Sequence, residues 1–249
     1  MDGRKPVDSS QRARAIELRM IDLEAQRISL REKLTSGALS DALDTLGVWS
    51  VLHPRIRHHG GKQRSFFGRA YTVCWGPTRK QRDIRGPMPS TWVHVRDFLV
   101  PDAQGLAGMV YVAGSQSGMI DRFALAGGLS TAHFQRLGME AIVLGGAVRD
   151  AEELAQREIP IWATSLSPAD SQGNYRVVST GTECIVDDIL VRTGDWVFGD
   201  STGIIVVPVA HAQEAVGRAL EILDAEASID GSLNSSESLF SVLEKTGHI

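Results

Sequence analysis

The sequence predicts an α/β sandwich with a mixed sheet. Apolar, glycine-bounded runs alternate with helix-like segments through the middle of the chain, and strand-like segments adjoin near its end, joined by tight turns. The 249 residues, 43% of them hydrophobic, suffice for one good core. Net charge of -4 and a pI near 6.0 argue against a nucleic-acid grip made by overall positive charge. Cys74 and Cys184 lie in apolar surroundings without metal-finger spacing, and are expected as buried free thiols. No signal-peptide pattern and no membrane-length apolar run appears, so a cytoplasmic protein is expected.

Taken in order, residues 1–34 read as a polar tail and an amphipathic helical arm over 12–33, whose mixed charges suit a solvated face. Residues 35–209 read as the α/β domain, and 210–249 as a C-terminal helix, over 210–229, followed by a polar tail. Within the domain, a helix follows Thr35 and Ser36, with Gly47 as its stop. Residues 53–61 hold His53, His58 and His59, but the flanking proline, arginines and glycines favour an exposed loop over a metal site. A strand over 66–75 is ended by Pro77. The Arg-, Lys- and Pro-rich loop 78–89 suits either an anionic substrate or solvent.

A short helix is expected over 92–99, a core strand over 108–113, and a turn over 114–118 leading into a helix over 121–126. Gly127 and Gly128 break the chain before a new helix that runs to Gly138; free backbone N–H groups at such a start form an anion site, or simply an ordinary cap. Residues 159–164 read as a strand, 165–176 as a polar loop, and 183–191 and 195–209 as strands with turns at 192–194 and 200–203. Asp200 is first a turn residue.

The centre of the chain is Ala141-Ile-Val-Leu-Gly-Gly-Ala-Val-Arg149-Asp150, a buried strand, two glycines and an ion pair before a helix. Arg149 offers a planar fork for a carboxylate, and Asp150 a hard oxygen for a divalent cation. Spacing alone favours an Asp150 that caps its own helix while Arg149 pairs with a neighbouring acid.

Gly145-Gly-Ala-Val-Arg-Asp150 resembles the signature of the RraA-like family, which contains metal-dependent 4-hydroxy-4-methyl-2-oxoglutarate/4-carboxy-4-hydroxy-2-oxoadipate aldolases and the regulator of ribonuclease activity A. Leu39-Ser-Asp-Ala-Leu-Asp-Thr-Leu-Gly47, Gly68-Arg-Ala-Tyr-Thr-Val73 and the stretch from Gly194 to Pro208 extend the resemblance. It implies a swivelling-type RraA-like α/β core, assembled as a homotrimer or homohexamer. It also implies a lyase acting on a 2-oxo acid or a related enolisable substrate, by retro-aldol cleavage or decarboxylation.

In that scheme Asp150 binds the metal, Arg149 holds substrate oxygen, and the amides of Leu129 and Ser130 hold the substrate carboxylate. Breaking the carbon–carbon bond leaves an enolate, and a cation on Asp150 would draw charge from its oxygen. Mg2+ or Mn2+ is implied rather than Zn2+, because no His or Cys lies near the motif.

Gly128 departs from the pattern, since the aldolases carry an acidic or amide side chain there to hold metal-bound water; Asp121 is a candidate substitute. The glutamate that aldolase members contribute from an adjacent subunit's C-terminal helix matches Glu226, which reads equally as a solvated helix charge. The regulatory members often lack the acid of the Arg-Asp pair, which this chain keeps. The alternatives are a non-catalytic protein-binding regulator and a diverged enzyme with another reaction on a specialised substrate. Neither nucleic acid nor membrane is an expected partner.

Overall fold

Four strands form the parallel centre of a mixed sheet: β2 (Phe66–Pro77), β3 (Val110–Ser115), β5 (Ala141–Leu144) and β7 (Ile161–Ala163). Their sequences are near-continuous apolar runs because both faces of the sheet are covered; every residue of β3, β5 and β7 is buried. β1 (Arg57–Gly60) closes one edge antiparallel to β7. On the other side β12 (Trp196–Gly199) and β13 (Ile204–Val207) continue antiparallel from β2. The order is β1-β7-β5-β3-β2-β12-β13; β9 (Tyr175–Thr180) also joins β2, and the hairpin of β10 (Glu183–Val186) and β11 (Ile189–Arg192) joins β3. This computed structural model describes residues 21–78 and 91–233. The expected polar tail 1–11, the first part of the arm, nearly all of the basic loop 78–89 and the tail beyond 233 lie outside the described residues.

Three helices cover the β2–β12–β13 side: α1 (Arg27–Lys33), α2 (Ser36–Asp44) and α6 (Ala212–Leu233). Leu39 and Leu43 of α2 and Val216 of α6 pack with Phe67, Trp196 and Phe198, and Phe67 stacks on Trp196 at 4.6 Å. Thr35 caps α2, its side chain accepting from the Ala38 amide at 3.1 Å. Gly47 ends that turn at φ 70, as expected of a glycine stop. Arg27 and Arg31 fasten α1 to Glu140 at 2.6 and 3.0 Å. Among the described residues no helix is long and apolar enough to cross a membrane.

A second sheet has three parallel strands, β4 (Ile120–Ala126), β6 (Gly146–Val148) and β8 (Ser165–Leu166). Residues 121–126, expected as a helix, are therefore strand. Their helix-compatible composition gives way to pairing with β6 and burial of Ala124, Leu125 and Ala126. Both ends of the expected loop 165–176 likewise belong to strands, β8 and the start of β9. The single strand expected over 183–191 is a hairpin instead, turned at Asp187 with φ 61. Residues 57–60 of the His-containing stretch pair with β7, where His58 packs edge-on to Trp162.

Cys74 and Cys184 are free and buried. Burial, with Cys74 nearby, pushes the Cys184 thiol up to about 12. Asp200 is the turn residue expected, accepting from Thr202 N at 2.8 Å, and it also accepts from the Ser36 amide at 2.8 Å.

Candidate functional site

The C-terminal ends of the three parallel strands β4, β6 and β8 each lead into segments that line one cavity of about 350 Å3. Strand ends of a parallel sheet are where backbone groups are left open and loops can converge on a ligand. β4 leads to Gly127 and α4 (Gly128–Arg136), β6 to Arg149 and Asp150, and the loop after β8 to Asp170. The register Ala126↔Val148 places Gly127 beside Arg149, and the Arg149 amide donates to the Ala126 carbonyl at 3.2 Å.

Asp150 adopts the left-handed conformation, φ 67 and ψ 51, uncommon for a residue with a side chain. Although it occupies the N-cap position of α5 (Ala151–Leu154), its side chain makes no cap bond. Instead Oδ2 accepts from the Gly128 N–H at 2.8 Å, so the alternative in which Asp150 caps its own helix does not hold. Arg149 pairs through Nη1 with Asp170 Oδ2 at 3.2 Å, and its Nε lies 3.8 Å from Asp150 Oδ2. All three side chains are about 40% exposed, open to a ligand rather than locked in the core.

The start of α4 completes the site. A helix leaves its first four N–H groups without intrahelical acceptors; here the first helical bond is Thr131 N–H to Gly127 C=O at 3.0 Å. The Gly127 N–H donates to Ser130 Oγ at 2.8 Å and the Gly128 N–H to Asp150. The amides of Leu129 and Ser130 have no partner among the described residues, and both residues line the cavity. The helix start thus presents two free donors on the same cavity as Arg149 and Asp150, an arrangement suited to a carboxylate.

Both glycines are dictated by close approach. A Cβ at Gly127 would stand 2.5 Å from Asp150 Oδ2 and 3.1 Å from Arg149 Nε. A Cβ at Gly128 would overlap the Glu153 carboxylate and lie 3.2 Å from Glu153 Cβ. Glu153, in the first turn of α5, therefore fills the space left by the missing side chain at position 128.

No group of three or more His, Cys, Asp or Glu that could hold an ion alone occurs among the described residues. The cradle at Gly127, with the Asp150 carboxylate beside it, instead fits a hard divalent cation that keeps most of its own water. It does not fit Zn2+, which takes several nitrogen or sulfur ligands.

Glu226 sits exposed on α6 and does not line the cavity. Asp121 does not line it either; it pairs with Arg55 at 2.7 Å and cannot stand in for a side chain at 128. His133 lines the cavity with Nε2 3.1 Å from the Leu99 carbonyl. Sequence reasoning misses Asp170 and Glu153. Neither belongs to a motif, and a register between β6 and β8 would be needed to find Asp170. The opposite wall, Trp92, Val95, Phe98 and Leu99, comes from α3 (Trp92–Val95) and the 3-10 turn that follows.

The fold and this cavity define an α/β protein with an open cavity at the strand ends of a parallel sheet. More narrowly, the chain belongs to the RraA-like family: the family model described as Aldolase/RraA matches residues 36–206. It is 26% identical over 207 residues to the protein DlpA of Legionella pneumophila, covering 82% of this chain but only 31% of that protein's length. A Burkholderia mallei protein, named provisionally as a 4-hydroxy-4-methyl-2-oxoglutarate aldolase, is 29% identical over 160 residues, 64% of this chain and 85% of the relative. Among solved structures, Streptomyces coelicolor RraAS2 is described as an unusual member of the RNase ES inhibitor RraA family. It matches with a TM-score of 0.66 and 23% identity, over 84% of this chain and 98% of the other. That likeness bears on the fold alone. The family thus holds both aldolase and regulator members.

Proposed function

We propose that this chain is a divalent-metal-dependent lyase that cleaves or decarboxylates a 2-oxo acid, with Mg2+ or Mn2+ held at Asp150. The observation that carries the reading is the convergence of Arg149, Asp150 and the two free amides of Leu129 and Ser130 on one cavity. The amides and the dipole of α4 bind the substrate carboxylate. Arg149, oriented by Asp170, donates to substrate oxygen where negative charge develops. A cation held by Asp150 would supply Lewis acidity toward the 2-oxo group. The Gly128 N–H orients the Asp150 carboxylate.

Glu226 does not line the cavity of its own chain; by the resemblance to aldolase members, it enters this scheme as a group reaching the cavity of a second copy in a trimer or hexamer. The test is pyruvate release from a panel of 4-hydroxy-2-oxo acids and from oxaloacetate, with Mg2+, with chelator, and in Asp150→Ala. Turnover lost in the last two supports the reading; turnover indifferent to both contradicts it. A protein-binding regulator is the second reading, favoured by Leu129, which is 89% exposed at the cavity rim. Capture of a partner by a chain without metal-dependent turnover would favour it.

A further inference from the structure

A free amide at the start of α4 can serve a ligand only if it is aimed, and the chain enters this helix on two glycines, whose backbone is the least restrained. The Leu129 N–H belongs to the peptide unit that carries the Gly128 carbonyl. In a planar trans peptide the two groups point in opposite directions, so whatever holds the carbonyl also aims the amide. Two side chains hold it among the described residues, and neither lines the cavity. Arg157 Nη2 donates to the Gly128 oxygen at 2.9 Å, and Thr131 Oγ1 donates to the same oxygen at 2.9 Å. Arg157 Nε lies 3.4 Å from Thr131 Oγ1, which joins the three groups in one cluster behind the helix start. Thr131 is wholly buried, and the Arg157 side chain is largely so. The base of Arg157 is itself fixed: its N–H donates to the Leu154 carbonyl at 3.1 Å, and its carbonyl accepts from the Lys62 N–H at 2.9 Å. Glu153 Oε2 lies 3.7 Å from Arg157 Nη2, in the space that a side chain at position 128 would fill.

Resting on the reading above, we propose that Arg157 is a positioning residue for the substrate carboxylate, acting from behind the peptide unit that joins Gly128 to Leu129. It holds the carbonyl of that unit, so the Leu129 N–H points the other way, out of the helix start. It also strengthens the donor. A guanidinium on the carbonyl draws electron density through the amide, and the N–H at its other end becomes a better hydrogen-bond donor. The N–H that holds Asp150 belongs to the preceding peptide unit, so carboxylate binding and metal binding depend on Arg157 to different degrees.

The experiment is calorimetry of Mn2+ binding, and of oxalate binding to the Mn2+-loaded full chain, in the native protein and in Arg157→Met, which keeps the apolar stem without the guanidinium. Oxalate should weaken about tenfold, the effect of losing one charge-assisted hydrogen bond, while Mn2+ affinity stays within about twofold. In the Mg2+-loaded chain, the 15N resonance of the Leu129 amide should move in Arg157→Met, because it responds to bonding at the carbonyl of its own peptide unit. Thr131→Val removes the other donor; it should weaken oxalate in the same direction but by less, and it carries the test if Arg157→Met does not fold. Unchanged oxalate affinity in the variants, an unmoved Leu129 resonance, or loss of Mn2+ and oxalate in equal proportion overturns the role of Arg157 and leaves the lyase reading standing. Oxalate that fails to bind the native chain, or binds it without metal, overturns the lyase reading and this proposal with it.

Discussion

The helical layer of α1, α2 and α6 and the cavity at the ends of β4, β6 and β8 are held by opposite means. The layer is cohesive through apolar area: Leu39, Leu43, Phe67, Trp196 and Val216 are almost wholly buried. The cavity depends on a left-handed aspartate, two glycines without room for a Cβ, and a few hydrogen bonds around half-exposed charges. A fold of this kind can keep its stability while its site is lost, and can be destabilised with its site intact.

That contrast can be broken from either side. Leu39→Ala, emptying a fully buried position in α2, should cost about 2–5 kcal/mol in chemical denaturation; affinity for Mn2+ below the transition should not change. Gly127→Ala should do the reverse, because its Cβ would displace the Asp150 carboxylate. Metal affinity should fall roughly 10–100-fold, measured by calorimetry, with a smaller shift in melting temperature than Leu39→Ala. A Gly127→Ala protein that binds metal normally would show that the cradle is not where the ion sits.

Asp170→Asn sharpens the comparison within the site. Its pair with Arg149 is half exposed, where such pairs contribute about 0–1 kcal/mol, so oxalate affinity should weaken by no more than roughly fivefold. The smallest effect is expected from pH. Burial lowers the pKa of His58 and His59 from 6.5, and His59 Nε2 has no partner among the described residues. As pH falls the unfolded chain takes up protons first. Stability is therefore full above about pH 6.5 and declines from there toward the lower pKa values of the folded state. Melting temperature followed from neutral pH downward should show this decline, and His59→Gln should flatten it.

The same contrast explains which features are legible in the sequence. Periodic apolar patterning marks α2 and α6, the strand that Pro77 ends, and the core strands around Val110 and Ile142, because burial leaves its trace on residue type. Residues 120–126 mislead because Ile-Asp-Arg-Phe-Ala-Leu-Ala suits a helix locally, and only pairing with β6 makes it a strand. Arg149 and Asp150 stand in a contiguous motif, whereas the Leu129 and Ser130 amides are reached only through the family resemblance that the motif carries. Asp170 is not, since its role arises from a long-range ion pair, and Glu153 matters only because Gly128 lies against it.

The most direct test is a Mn2+ titration followed by electron paramagnetic resonance, on the native chain and on Asp150→Ala, with and without oxalate. The account predicts one site per chain in the native protein, a changed spectrum when oxalate is added, and loss of that site in Asp150→Ala with the fold retained by circular dichroism. Equal Mn2+ binding by both proteins, or a native spectrum that oxalate leaves unaltered, would contradict it.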